Sequence, residues 1–83
     1  MNIVQKPTFA RAYKKLHANQ LPLVNNAISE IASNPLIGDE KKGDLAGVRV
    51  YKFKVLDQQF LLAYETETNI LLTLMALGVH ENF

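Results

Sequence analysis

At 83 residues, 48% hydrophobic and 20% charged, the chain has the composition of a globular protein and room for one small domain, which excludes a disordered or multidomain polypeptide. Nine Lys and Arg against eight Asp and Glu leave a net charge of +1, so the whole-molecule field would not draw in a polyanion and any nucleic-acid contact must rest on local clustering. No cysteine is available for a disulfide or a thiolate metal site, and His17 and His80 lie far apart, so neither a metal nor another cofactor is expected.

Residues 2–5 read as a short strand ending at Lys6-Pro7, because proline restrains the residue before it and cannot donate to a ladder. Thr8 is then the expected cap of a helix in which Phe9, Tyr13 and Leu16 recur at i, i+4 and i+7, with Arg11, Lys14 and Lys15 off the stripe. Those cations, with Lys6, form a basic patch that solvation accounts for most simply. A turn at His17-Ala18-Asn19 leads to a second helix, with Asn19 as its expected cap and Pro22 tolerated in its first turn. Leu21, Val24, Ile28 and Ile31 give it an apolar stripe, widened by Ala27 and Ala32, and Asn34-Pro35 closes it. Two short helices joined by a tight turn form an antiparallel hairpin that must lay its apolar side on a sheet.

The segment 36–47, with Gly38, Gly43 and Gly47 among Asp39, Glu40, Lys41 and Lys42, reads as an exposed connection. Three strands are expected after it, at about 48–56, 59–66 and 70–79, joined by turns at Asp57-Gln58 and Glu67-Thr68-Asn69 in an antiparallel meander. The last, apolar on both faces (Leu72, Leu74 and Ala76 against Leu71, Met75 and Leu77), reads as a central strand covered on both sides. No basic leader precedes an apolar block, and 70–79 is too short to span a bilayer as a helix, so a soluble, unexported, cytoplasmic protein without membrane contact is expected. The predicted class is α+β: a single domain over 1–83, in the order β-α-α-β-β-β, with a helical hairpin on a mainly antiparallel four-stranded sheet.

The most informative stretch is the first strand of the meander. Its period of two sends Tyr51, Phe53 and Val55 one way and Lys52 and Lys54 the other. One face builds core, while the other displays two ammonium groups roughly 6.6 Å apart, comparable to the phosphate spacing of one nucleic-acid strand. A solvated lysine face is the bland alternative for this pair. Arg49 shares the parity of Tyr51 and is expected near the start of the strand and exposed to solvent, where a bulge at Gly47 could redirect it. Tyr64, on the face of Phe60 and Leu62, reads as core, and Glu65 points the opposite way.

The runs Lys42-Gly43-Asp44-Leu45-Ala46-Gly47, Val50-Tyr51-Lys52-Phe53-Lys54, Leu62-Ala63-Tyr64-Glu65 and Ala76-Leu77-Gly78-Val79-His80-Glu81-Asn82-Phe83 together resemble the RelE/ParE superfamily of bacterial toxin-antitoxin toxins. The resemblance covers nearly the whole chain and carries the same β-α-α-β-β-β order. It implies a small cytoplasmic toxin that a cognate antitoxin wraps and silences, giving a hetero-oligomer. ParE-like members poison DNA gyrase; RelE-like members cleave messenger RNA on the ribosome without a metal. In the RelE-like case Lys52, Lys54 and His80 would be catalytic, since 2′-hydroxyl attack on phosphorus needs a base, an acid and cations on the phosphoryl oxygens. In either case Arg49, Lys52 and Lys54 would contact the target or nucleic acid. The near-neutral charge and the lack of a cation at 59–63, where RelE-like nucleases carry arginines, favour the ParE-like expectation; an antitoxin-binding relative without toxicity is the third alternative. Relatives continue past the closing phenylalanine with a tyrosine and basic residues, so the stop at Phe83 reads as a truncated chain or a shortened natural variant.

Overall fold

The computed structural model describes residues 2–67 and 70–80. Strand β1 (Asn2–Gln5) is followed by helices α1 (Pro7–Lys14) and α2 (Leu21–Ser33), then by strands β2 (Asp39–Glu40), β3 (Arg49–Val55), β4 (Gln58–Glu67) and β5 (Leu71–Val79). The strands form one sheet in the order β1-β5-β4-β3-β2. Only β1 runs parallel, paired with β5, and the other pairs are antiparallel. The α+β class and the helical hairpin are as expected, but the sheet has five strands where four were read. The extra one comes from the segment taken for an open loop. Asp39 and Glu40 pair with Val50 and Arg49 although nothing in their chemistry favours a strand, because β3 presents an unpaired edge to them.

Neither helix is capped by the polar residue expected: α1 begins at Pro7, and α2 begins at Leu21 with Pro22 as its second residue. Lys6 and Gln20 occupy the capping positions, without a side-chain cap bond. Pro7 starts α1 because its fixed φ suits a first turn and its missing N–H leaves one fewer donor to satisfy. Near α2, the Gln20 side-chain carbonyl instead accepts from the His17 backbone N–H at 2.8 Å, closing the turn in which His17 stays exposed. Phe9 of α1 and Val24, Ala27 and Ile31 of α2 are buried, following the predicted stripes. α1 packs on β5 and α2 on β3, and together they enclose a core with Val55, Phe60, Leu62, Tyr64, Leu72, Leu74 and Leu77 of the sheet. The Tyr13 hydroxyl donates to Asn25 Oδ1 across the hairpin, and the Tyr51 hydroxyl donates to Glu30 Oε2, tying α2 to β3.

β4 is the middle strand and β5 is an interior one between β1 and β4, as expected of a central strand; the coverage expected on both its faces is corrected, since Leu71, Thr73, Met75 and Ala76 are only half-buried. The β4–β5 ladder slips at Ala63/Tyr64: Ala63 faces Ala76 and Tyr64 faces Leu74, leaving Met75 as an extra residue. This bulge reverses the alternation along β5. Leu77 therefore joins Leu72 and Leu74 under the helices, while Ala76 packs with Met75 on the outer face, the reverse of a strict period of two. The β3–β4 turn also falls one residue earlier than read. Val55 pairs with Gln58, so Leu56 and Asp57 form the turn, with Leu56 in the left-handed region at φ 56°.

Candidate target-binding face and adjoining cleft

The face of the sheet away from the helices is built by the other parity of β3 and β4. Val48, Val50, Leu61 and Ala63 are buried there and form a second, smaller apolar cluster with Met75 and Ala76. Lys52 and Lys54 continue this face along β3 and are exposed, as the alternation requires. Lys54 pairs with Gln59, and the β4–β5 register runs to Phe60 opposite Val79, so His80 comes one step further on, level with Gln59. His80 is exposed at the end of β5, two strands from Lys54 or about 10 Å at ordinary strand spacing. The fold thus places His80 at the same end of the sheet as Lys52 and Lys54, and the carboxylates of the lysine face on β4, Glu65 and Glu67, sit toward the other end.

Arg49 does not belong to this group. It shares the parity of Tyr51 and is half-buried, and the exposure expected of it is corrected. Its Nη1 donates to the carbonyl of Gly38 at 2.7 Å and to that of Leu36 at 3.2 Å. Tyr64 reaches the same loop from below: its hydroxyl donates to the Pro35 carbonyl at 2.7 Å and accepts from the Gly38 N–H at 2.9 Å. Gly38 lies so close to this ring that a Cβ would come within 2.9 Å of Tyr64 Cε1 and Oη, and 3.1 Å from the Val50 carbonyl carbon. The loop after α2 is thereby clamped to the sheet, and between it and the ends of β3 and β4 lies an open cleft of about 500 Å³. Sequence reasoning missed the clamp and the cleft. The only hint was an arginine on the apolar parity of a strand, a position that demands acceptors.

Two tyrosines have altered acidity. A hydrogen bond to Glu30, then burial, pushes Tyr51 up to about 12. Burial also raises Tyr64, opposed by the Gly38 N–H and by the Arg49 charge nearby.

A helical hairpin on one face of a mixed sheet is the fold expected from the resemblance to the RelE/ParE class of toxins. The chain belongs to the ParE-like toxins of type II bacterial toxin-antitoxin systems, whose family model matches residues 3–83, and it is the toxin of such a pair, with an antitoxin for a partner. Its fold is similar to RelE of E. coli in three solved structures. In the intact RelBE toxin-antitoxin complex the TM-score is 0.71 at 16% identity, covering 92% of each chain. For the isolated RelE toxin the values are 0.70 and 15%, over 93% of this chain and 81% of the other. For a doubly substituted RelE mutant in the free state they are 0.73 and 14%, over 96% and 83%. No curated protein matches the sequence. No helix among the described residues is long and apolar enough to cross a membrane.

Proposed function

We propose that the toxin arrests growth in the cytoplasm by binding DNA gyrase through the outer face of β3, β4 and β5. The observation that supports this is the composition of that face: half-buried Met75 and Ala76, seated on the buried cluster of Val48, Val50, Leu61 and Ala63, on the same face as exposed Lys52 and Lys54. An apolar centre with a charged rim is the anatomy of a protein-binding surface. The antitoxin would occupy apolar surface left open elsewhere, with the edge strand β1 available for strand addition; its Ile3 and Val4 are each nearly half exposed.

A second reading, ribosome-dependent cleavage of messenger RNA, draws on the gathering of Lys52, Lys54 and His80 at one end of the sheet. Two ammonium groups would neutralise phosphoryl oxygens and the imidazole would carry a proton. Purified toxin assayed with gyrase on relaxed plasmid, and in parallel with translating ribosomes on a defined message, separates the two. Lost supercoiling with an intact message is the expected result; a cleaved message with normal supercoiling would replace the first reading by the second. Lys52→Ala with Lys54→Ala should weaken gyrase inhibition about tenfold or more and leave antitoxin binding in place.

A further inference from the structure

The cleft beside Arg49 lies at the end of the sheet opposite Lys54 and has a chemistry of its own. Both hydrogen bonds of Arg49 among the described residues leave from Nη1, so Nη2 and Nε keep N–H groups for a further acceptor. Thr66 lines the same cleft, and its hydroxyl oxygen is buried without a hydrogen-bond partner among the described residues. The cleft continues past Gly47 and Thr66 into a second groove of about 230 Å³, lined by Glu65 and Glu67. A guanidinium at one end and two carboxylates at the other suit an extended chain bearing an acidic and then a basic side chain, and not a small anion.

We propose that the cleft is a docking site for an extended peptide, whose carboxylate is bound by Arg49 and Thr66 and whose ammonium group is held by Glu65 and Glu67. The peptide is a segment of the antitoxin, an assignment that rests on the toxin reading. Glu40 stands opposite Arg49 across the β2–β3 pair and lines the cleft. Its exposed carboxylate would repel an incoming one at this distance across the ladder.

The test is an NMR titration of the full chain with an N-acetylated, C-amidated Glu-Ala-Ala-Lys peptide, its Gln-Ala-Ala-Lys counterpart, and sodium acetate. The Glu peptide should bind with a dissociation constant on the order of 1 mM and shift amides at both Arg49 and Glu65, the Gln peptide about tenfold more weakly. Thr66→Val should weaken binding by about threefold without lowering stability, because no protein group depends on the hydroxyl. Glu40→Gln should tighten binding about twofold or more. Equal affinity for the Glu and Gln peptides, or no effect of either substitution, would overturn the site. Acetate binding as tightly as the peptide, with no shift at Glu65, would overturn the peptide as its occupant. Gyrase inhibition or message cleavage by the same protein distinguishes failure of the cleft from failure of the toxin reading.

Discussion

Replacing Tyr64 by phenylalanine removes a single oxygen from the centre of the molecule and tests the clamp directly. The ring of Tyr64 is fully buried, and phenylalanine keeps its packing against the core, so the change isolates the hydroxyl. Two hydrogen bonds disappear, one donated to Pro35 and one accepted from Gly38. The Pro35 carbonyl belongs to a half-buried residue and can recruit water, so its loss costs about 1 kcal/mol. Gly38 is buried, and stranding its N–H costs about 1.5 to 2 kcal/mol, giving a total near 2.5 to 3 kcal/mol. For a domain of this size that is a fall in melting temperature of about 10–20 °C. Urea unfolding at neutral pH should show a lower midpoint at unchanged slope, and the Gly38 amide should exchange faster by hydrogen exchange. A stability loss below about 0.5 kcal/mol, with Gly38 still protected, would mean that Arg49 alone holds the loop and that the reasoning about Tyr64 is wrong.

Three further outcomes follow from the same geometry. Gly38→Ala, whose methyl would meet the immobile Tyr64 ring and the backbone of Val50, should cost about 1–3 kcal/mol by chemical denaturation, although the glycine needs no positive φ. Leu56→Asn should stabilise by about 0.5–1 kcal/mol, since Leu56 is exposed and left-handed, a conformation asparagine adopts more readily. The raised pKa of Tyr51 means that the folded state holds its proton more tightly than the unfolded chain, which releases it near pH 10. That contribution is complete below about pH 10 and is lost as pH rises through about 12, so alkaline unfolding curves of wild type and Tyr51→Phe should converge across this window.

Much of the architecture was legible because local chemistry and tertiary position agreed. The helical stripes through Phe9, Val24 and Ile31, and the alternation that put Tyr51, Phe53 and Val55 inward with Lys52 and Lys54 outward, are patterns of burial repeated at the period of their element. Lys52, Lys54 and His80 were named from the sequence, but only the register across β3, β4 and β5 shows that they share one end of the sheet. The family tail beyond His80, where a nuclease would add further groups, lies outside the described residues.

What the amino-acid order alone determined is the content and facing of the elements, since a side chain's hydrophobicity and its period act over a few neighbouring residues. The tertiary structure decided the rest: the fifth strand at Asp39–Glu40, the extra residue at Met75 that sends Leu77 inward, and the turning of Arg49 from a surface contact into a clamp. Each of these depends on a partner 10 or more residues away, Val50 for Asp39, Ala63 and Tyr64 for the bulge, and Gly38 for Arg49, and a hydrogen bond satisfied at that distance leaves no trace in local periodicity.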